Sequence, residues 1–460
     1  MPALDSLQEP PSTEGASPAI GSIRTRLAGM IRSAVLRRVL LLIGGASGAQ
    51  LIGLAAAPLI ARLYTPAEFG ILGIYTSLLA IFCAAATLRY ECALPIARDG
   101  EETASLLILV LGTAVVTSSG VGLLLGGLSP HLPGRIQLLG SFWWLLPPGM
   151  FLTAVYQALS YWALREQRFK ALASTKVAQA GGMIAIQTGA GALTLGPGWL
   201  IAGHIAGQSL GFGTLGRLAL RKHRDAFHTI STRSIAAVAR RYRRFPRYSS
   251  GAAVLDALGG SMPLIFLASM YGPTLAGWLT IVYRLNVPLG VVSNAVGQVN
   301  FADMAGIMRS DRKSLRGIFA RRLTVLIACA TLVVGVMNLL VPFLVPVLLG
   351  PRWNNVTPCL QVMSPLFFAG FVASPLGFAL EVTERQDMHL YRELFRAGVM
   401  GIALAIVALL RPSWVGAVAI VSTAGTINYV GYLLASWIAI VQLDRTSLPF
   451  QSAGAMTKSC

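Results

Sequence analysis

The sequence predicts an all-α integral membrane protein, with twelve transmembrane helices arranged as two pseudo-symmetric six-helix bundles around a central cavity. The first observation is composition: the 460 residues are 55% hydrophobic and only 12% charged. A soluble protein of this length needs far more charge to cover its surface. The second is a series of apolar runs of about 20 residues, the length that a helix needs to cross a bilayer core. The third is a partial repeat of the first half in the second.

Residues 1–37 precede the first apolar run. Residues 1–19 are rich in Pro, Ser, Glu and Gly, which predicts a disordered tail. From there to residue 37, apolar residues recur at helical spacing among arginines. This pattern predicts an amphipathic helix on the cytoplasmic membrane surface, with a disordered basic tail as the alternative.

Twelve apolar runs follow, six on each side of a basic stretch. We assign residues 38–217 to the first bundle, 218–247 to a basic cytoplasmic linker, 248–445 to the second bundle and 446–460 to a cytoplasmic tail. The eleventh span is the least apolar, because its first residues are charged. The spans are Val39–Ala61, Gly70–Leu88, Thr103–Leu128, Gly140–Leu164, Val177–Leu195, Trp199–Leu215, Tyr248–Tyr271, Thr274–Phe301, Leu323–Leu349, Val356–Leu380, Leu390–Leu410 and Val415–Leu443.

Lysine and arginine segregate to one side of this topology. Only Arg62, Arg135, Arg352 and Arg411 fall in loops on the far side and Arg284 lies within a span, so 32 of the 37 basic residues share the side of the N-terminus. The positive-inside rule therefore places both termini and the linker in the cytoplasm. Membrane orientation and contact with membrane lipids explain the net charge of +19, and no nucleic-acid partner is expected.

The two halves share a spacing of proline and glycine. In the first hairpin, a Pro-Leu-Ile triplet leads to Pro66 and then to Gly70, four residues later. At the seventh and eighth spans, a second Pro-Leu-Ile triplet leads to Pro273 and Gly277, again four residues apart. Two halves with six spans each have the same orientation, so the axis that relates them lies along the membrane normal.

The sequence lacks the motifs of several enzyme classes. The sequence has no Walker-type phosphate loop, no H-E-x-x-H and no G-x-S-x-G, and its five cysteines show no ligand spacing. No cofactor and no metal site are predicted. The far-side loops are short, whereas an integral-membrane glycosyltransferase builds its site on a large loop. A transporter is therefore expected rather than an enzyme.

Charged residues within the spans are the candidate functional residues, since charge in a bilayer is costly and faces a cavity or a partner. Asp256 and Arg284 both fall near mid-depth, where they are able to pair. One interpretation is a structural ion pair. The other is a cavity in which Arg284 binds an anionic head group and Asp256 binds a coupling cation.

Four more residues are candidates near the ends of spans. We expect Arg89 to contribute to the same substrate cavity, while Glu91 points to a different helix face. Glu381 is the best second carboxylate for ion coupling. Arg62 is expected to cap the far side of the first span and to form an external gate with Pro66 and Gly70. For Arg89, Glu91 and Glu381, snorkelling to the interface is the alternative.

The hairpin also resembles a known family. The segments ARLYTPAEFG (61–70) and LRYECALP (88–95) resemble the signature of bacterial polysaccharide-transport flippases, the Wzx-like O-antigen and exopolysaccharide flippases. These belong to the multidrug/oligosaccharidyl-lipid/polysaccharide (MOP) superfamily, whose fold is two six-helix bundles around a cavity. The resemblance implies alternating-access translocation of an undecaprenyl-diphosphate-linked oligosaccharide across the bacterial inner membrane. It also implies a cationic cavity, with Arg89 in the matching motif.

Other functions stay open from the sequence. A polysaccharide polymerase and a chain-length regulator are further partners that the resemblance suggests. A drug/cation antiporter of the same fold is the alternative, although it calls for an acidic cavity and Asp256 is the one acid well inside a span. A lipid II flippase is a close variant, and an integral-membrane glycosyltransferase is the alternative from another class.

Overall fold

The computed structural model describes residues 34–128, 140–310, 315–382 and 386–445. These residues form helices joined by turns, and no strand occurs among them. The all-α prediction is therefore confirmed. The predicted disordered tail, the amphipathic segment before residue 34 and the predicted C-terminal tail lie outside the described residues.

The helices follow the predicted order. The N lobe consists of α1 (Ala34–Leu63), α2 (Pro66–Cys83), α3 (Gly100–Leu128), α4 (Leu146–Arg165), α5 (Phe169–Ala192) and α6 (Pro197–Ser209). The linker between the lobes carries α7 (Phe212–Lys222), α8 (Arg224–Thr229) and α9 (Thr232–Arg241). The C lobe consists of α10 (Ser250–Tyr271), α11 (Pro273–Ser310), α12 (Leu315–Leu348), α13 (Val356–Gly377), α14 (Ala379–Val382), α15 (Gln386–Leu410) and α16 (Trp414–Arg445).

Every predicted span overlaps at least one helix, but the helices differ in how apolar they are. Within the described ranges, eight helices are long and apolar enough to cross a membrane, namely α2, α3, α10, α11, α12, α13, α15 and α16. Of the other four, α6 has only 13 residues and α5 carries Lys170, Lys176, Gln179 and Gln187. The count of twelve spans therefore stays a prediction. The eleventh span, the weakest in the sequence, is α15.

α2 begins four residues earlier than predicted and ends five residues earlier. The Thr65 hydroxyl accepts from the Glu68 N–H at 3.3 Å, and the Glu68 carboxylate accepts from the Thr65 N–H at 2.8 Å. This capping box, with Pro66 in the first turn, starts the helix directly after Thr65. The α-helix ends at Cys83, where the chain changes to turns with hydrogen bonds three residues apart. It cannot resume as predicted up to Leu88, because Leu88 and Arg89 have left-handed backbone angles (φ 50° and 62°) that a right-handed helix excludes.

The sixth predicted span is two helices. α6 ends at Ser209, and the chain turns at Gly211, where φ is +96°. A side chain at Gly211 is excluded, because its Cβ would lie 2.4 Å from the Thr175 Cγ2 atom. The residues after this glycine form α7, which has apolar residues on one face and arginines on the other. The span that was predicted to reach Leu215 thus stops short of it.

The linker helices pack against the N lobe. Val238 of α9 and the following Tyr242 are buried in the same core as residues of α3 and α4. The Arg241 guanidinium lies 2.8 Å from the Glu102 carboxylate at the start of α3. The predicted basic linker is therefore a folded part of the N lobe surface. We call the side of the protein that carries it the linker side and the opposite side the far side.

A buried histidine joins α7 to α4 on the linker side. The Trp162 indole N–H donates to His223 Nε2 at 3.1 Å, and Glu166 Oε1 lies 3.9 Å from the same nitrogen. Only 6% of the His223 side chain is exposed, and this burial lowers the pKa of His223, against the Glu166 carboxylate, which raises it. The indole hydrogen bond requires the neutral imidazole, with its proton on Nδ1.

The apolar cores divide the molecule into a joined side and a separated side. On the far side, one core includes residues of both lobes, among them Phe69 of α2 and Leu279 of α11. On the linker side, the N lobe has its own core around Trp162, and the C lobe has another around Phe319. The lobes are thus packed together at the far side and separate toward the linker side.

Candidate functional site

A close contact between the lobes joins the two halves of the sequence repeat. α2 packs along α11, and the two helices cross at glycines. A Cβ at Gly70 would lie 1.7 Å from the Pro273 carbonyl oxygen, and a Cβ at Gly277 would lie 1.8 Å from the Pro66 carbonyl oxygen. Each half of the repeat therefore supplies the glycine against which the other half packs. Any larger residue at either position forces the helices apart.

A second set of contacts lies beside this crossing. Arg62, at the end of α1, donates from Nε to the Leu348 carbonyl oxygen at 2.9 Å and from Nη2 to the Val347 carbonyl oxygen. These carbonyls are at the C-terminus of α12, where a helix has unpaired acceptors and a partial negative charge. Arg62 therefore caps a helix of the opposite lobe, whereas the sequence predicted a role at its own helix.

Trp353 reinforces the same closure. Its indole N–H donates to the Ala61 carbonyl oxygen at 2.9 Å, and its ring packs edge-on against Phe69 with 5.1 Å between centroids. Trp353 is fully buried although it belongs to a short turn before α13. We call the contacts of Arg62, Trp353, and the Gly70 and Gly277 crossing the far-side seal. It contains Arg62, Pro66 and Gly70, the residues predicted as the gate.

An apolar cavity lies between the lobes, below the far-side seal. It has a volume of about 430 Å³, and α1, α5, α6 and α11 form its walls. Its polar side chains are Gln50, His204, Gln208 and Arg284. We call it the inter-lobe cavity. One of the two interpretations from the sequence had Arg284 lining a cavity, and Arg284 lines this one.

Arg284 has no carboxylate partner among the residues that the structure describes. Its guanidinium carbon lies 5.4 Å from the centroid of the Phe69 ring, a cation–π contact with the seal. The predicted pair with Asp256 is wrong. Asp256 instead accepts from Arg396 Nη2 at 2.8 Å, so α10 is joined to α15 and not to α11. The depth of a residue in its span gave no information on helix rotation, which decides such a pairing.

A second cavity, of about 560 Å³, lies within the C lobe, and we call it the C-lobe chamber. It is more polar than the inter-lobe cavity, and α11 is a wall of both. Asn286, Gly290, Ser293 and Asn294 face the chamber. The opposite face of α11, from Arg284 to Val292, lines the inter-lobe cavity.

Two arginines of α15 also line the C-lobe chamber. Arg392 stacks over the Tyr432 ring at 4.5 Å and donates from Nε to Glu393 Oε1 at 2.9 Å. Arg396 contacts Glu393 Oε2 at 2.7 Å in addition to Asp256. The two positive charges of the chamber are therefore balanced by two carboxylates.

Arg89 lies apart from Arg284. It is not among the residues of the inter-lobe cavity or the C-lobe chamber, and its Nη1 lies 3.8 Å from Glu91 Oε1. The prediction that Arg89 and Glu91 point to different faces is wrong, because they lie outside α2 and Arg89 has a left-handed backbone. Glu91 is 2% exposed and also accepts from the Thr87 hydroxyl. This pair ties down the turn after α2 on the linker side.

Glu381 was predicted to take part in ion coupling, and His204 is a polar residue of the inter-lobe cavity. Glu381 lies in α14, but its side chain is outside the described part of the chain. His204 lines the inter-lobe cavity and packs edge-on against Tyr75, with 6.3 Å between ring centroids. The neighbouring glycines Gly203 and Gly207 pack closely against α5, which small residues at this spacing allow.

The sequence of this chain matches a known family over most of its length. The family described as "Polysaccharide biosynthesis protein" matches residues 59–358. The chain belongs to this family. Among curated proteins, the lipopolysaccharide biosynthesis protein WzxC of Escherichia coli (strain K12) is 27% identical over 207 residues, which cover 45% of this chain. That match spans only 40% of the length of the relative.

Solved structures share the fold at low identity. An inward-facing multidrug resistance MATE family transporter of the MOP superfamily aligns with a TM-score of 0.69 at 14% identity, covering 87% of this chain and 96% of the other. The lipid II flippase MurJ in an inward closed conformation gives 0.68 at 14% identity, covering 89% and 93%. An outward-facing MATE transporter gives 0.55 at 14%, covering 90% and 96%. The predicted MOP superfamily fold is confirmed.

Sequence reasoning missed Arg392 and Arg396. Both lie in the first part of the eleventh span, where charges made the apolar run look weak. That irregularity was the available signal, because a span that carries charge needs a polar cavity to receive it. The same logic had already singled out Arg284.

Proposed function

We propose that this polysaccharide biosynthesis protein is a flippase of the bacterial inner membrane. Its substrate is an undecaprenyl-diphosphate-linked oligosaccharide, which it moves from the cytoplasmic to the periplasmic leaflet. Arg284 carries the proposal, as a cation without a described carboxylate partner in an apolar cavity between the lobes. A charge in such surroundings is costly until a ligand supplies the opposite charge. A diphosphate on a long apolar chain brings both the anion and the apolar surface.

The relatives agree with a lipid-linked substrate. The matching family and the curated relative are named for polysaccharide and lipopolysaccharide biosynthesis, and one structural neighbour is a lipid II flippase. A drug or cation antiporter needs an uncompensated acid in its cavity. Among the described residues that line the inter-lobe cavity and the C-lobe chamber there is no Asp or Glu.

Alternating access follows from the way the lobes meet. The far-side seal closes one end while the lobes separate toward the linker side. With the basic linker and both termini in the cytoplasm, this conformation receives substrate from the inner leaflet. Arg62, Pro66 and Gly70 then form the periplasmic gate, which opens when α2 and α11 part.

The proposal also assigns roles to Arg89 in phosphate contact and to Asp256 and Glu381 in ion coupling. Arg89 is a second phosphate contact near the cytoplasmic entrance, since its buried Nε has no described hydrogen-bond partner. Ion coupling is assigned to Asp256 and Glu381, and a coupling cation at Asp256 has to displace Arg396. A polysaccharide polymerase and a chain-length regulator are the proposed protein partners in the periplasm.

Replacement of Arg284 tests the function. A deletion strain is complemented with Arg284→Ala, Arg284→Lys or the control Arg352→Ala, which removes an exposed arginine in the far-side turn before α13. Loss of a buried charge partner costs about 2 kcal/mol or more, so we expect Arg284→Ala to lower surface glycan roughly 30-fold or more. Arg284→Lys should keep partial function, and the control should keep full function.

The amount of each variant in the membrane is measured in parallel by immunoblot. The proposal requires normal membrane levels of Arg284→Ala together with lipid-linked oligosaccharide accumulating in the cytoplasmic leaflet. Full surface glycan from the Arg284→Ala strain would refute the proposed role of the inter-lobe cavity.

A further inference from the structure

We propose that the C-lobe chamber binds the sugar part of the substrate and that it selects uncharged, hydroxyl-rich sugars over acidic ones. This inference rests on the proposed flippase function and adds the chemical class of the glycan. Residues of α11, α13, α15 and α16 line the chamber, and Arg284 is not among them, so the chamber is separate from the Arg284 phosphate site.

The walls of the chamber combine the two groups that sugars need. Aromatic side chains line it from three helices, and asparagines line it from two. Pyranose rings pack their C–H faces on aromatic rings, while their hydroxyls exchange hydrogen bonds with amides. The aromatic residues are Tyr283, Phe367, Phe371, Phe378, Tyr429 and Tyr432, and the amides are Asn286, Asn294 and Asn428.

The two faces of α11 differ in polarity, one facing the C-lobe chamber and the other the inter-lobe cavity. Residues 286, 289, 290, 293 and 294 face the chamber, and residues 284, 287, 288, 291 and 292 face the inter-lobe cavity. These positions follow helical periodicity, so the division is a property of the two faces of one helix. The apolar face suits a prenyl chain, and the amide-bearing face suits a glycan.

One buried acceptor in the chamber lacks a partner. The Asn428 Oδ1 atom is inaccessible to solvent and accepts no hydrogen bond from any described residue. A buried carbonyl oxygen without a donor is costly. A sugar hydroxyl in the chamber removes this cost once the Asn428 amide rotates to present its oxygen to the cavity.

Charge compensation decides which sugars fit. Arg392 and Arg396 line the chamber, but Glu393 and Asp256 already neutralise them at 2.7–2.9 Å. A uronate bound here has to compete with these carboxylates, which repel it. Neutral hydroxyls meet no such repulsion, and their oxygens can accept hydrogen bonds from the two guanidinium groups that line the chamber.

Binding to the full-length protein in nanodiscs tests this inference. Three probes are compared by native mass spectrometry: undecaprenyl diphosphate alone, the same lipid carrying a neutral disaccharide, and the lipid carrying a disaccharide with one uronate. We expect the neutral disaccharide to raise affinity about tenfold over the bare lipid. The uronate probe should bind no better than the bare lipid.

Two variants report on the chamber itself. A Cβ at Gly290 meets no atom within 4 Å, so Gly290→Leu fills chamber space without a backbone clash. It should abolish the tenfold gain from the neutral disaccharide and leave binding of the bare lipid unchanged. Asn428→Leu should reduce the gain threefold to tenfold. The control is Gly335→Leu on α12, where a Cβ also meets nothing within 4 Å.

A third variant tests the charge argument. Asp256→Asn frees Arg396 from one carboxylate, so it should raise affinity for the uronate probe relative to the neutral probe. Tighter binding of the uronate probe by the wild type, or a sugar gain that persists in Gly290→Leu, would overturn the inference. The proposed function fails separately, if the bare lipid binds equally well to the wild type and to Arg284→Ala.

Discussion

The far side and the linker side hold the two lobes in different ways. On the far side, glycines of α2 and α11 lie against carbonyl oxygens of the opposite lobe, and one apolar core includes residues from both lobes. On the linker side, each lobe closes its own core, around Trp162 in the N lobe and Phe319 in the C lobe. The far-side contacts can therefore break when the lobes move apart, whereas the linker-side cores stay intact within each lobe.

The far-side contacts are suited to breaking and re-forming. Arg62 and Trp353 both donate to backbone carbonyls across the lobe boundary, and water can replace either bond when the lobes part. The linker-side cores are internal to each lobe, so they survive such a motion. Two rigid bodies joined by a breakable seal are what alternating access requires.

The largest expected effect comes from the glycine crossing. Gly277→Leu puts a side chain where a Cβ already lies 1.8 Å from the Pro66 carbonyl oxygen. Because the clash is with backbone, the far-side seal cannot close, and we expect loss of transport and of surface glycan. The matched control Gly335→Leu meets open space on α12 and should transport normally.

Thiol labelling measures the seal directly. In a background without the native cysteines, Thr280→Cys places a thiol within the α2–α11 interface, where Thr280 is 9% exposed. A membrane-impermeant maleimide added from the periplasm should label it poorly in the parent and at least about tenfold faster with Gly277→Leu, since the gap is open. Equal labelling of parent and variant would mean that the crossing does not close this path.

A smaller effect is expected at Arg62. Arg62→Ala removes two hydrogen bonds from a cation to the C-terminus of α12, together worth about 1 kcal/mol at an exposed site. Labelling of the Thr280→Cys thiol should rise severalfold, with transport reduced but present. With Arg62→Lys, the labelling rate should lie between those of the parent and of Arg62→Ala, because lysine keeps the charge but cannot make both hydrogen bonds in the same geometry. Arg352→Ala, an exposed arginine nearby, is the control and should label like the parent.

The sequence predicted part of this far side. The repeated Pro-to-Gly spacing singled out Gly70 and Gly277, but the capping box of Thr65 and Glu68 was not recognised, so the second span was predicted to begin four residues too late. That the two glycines pack against each other's proline carbonyls was beyond the sequence, because it depends on how the lobes dock.

Side-chain pairing within the candidate site was harder to predict. Depth along a span suggested that Asp256 pairs with Arg284. The rotation of each helix about its own axis instead turns the Asp256 side chain toward Arg396. Arg89 and Glu91 were predicted to lie on different faces of one helix, but α2 ends at Cys83 and Arg89 has a left-handed backbone. Pairings and turns of this kind are set by tertiary contacts, which periodicity and hydropathy do not encode.

The smallest expected effect concerns the linker side and pH. His223 is neutral in the folded protein because burial lowers its pKa, and it accepts the Trp162 indole hydrogen bond only in that form. The charged groups around it are Glu166, which opposes this shift, and Arg165 and Lys222, which add to it. Asp99, Glu101 and Asp225 line the adjoining surface cavity.

Acidification weakens the attachment of α7, because the detached state binds a proton more readily than the folded state does. As pH falls below about 6.5, the ordinary value for histidine, a detached linker takes up a proton that buried His223 resists. Attachment of α7 to the N lobe therefore weakens on acidification, by at most about tenfold per pH unit, and stops weakening below the folded-state pKa. Hydrogen exchange of α7 amides, corrected for their intrinsic pH dependence, should show this loss of protection. His223→Gln keeps an acceptor for Trp162 without titrating, so its protection should not change with pH; if it weakened as in the wild type, another group would be responsible.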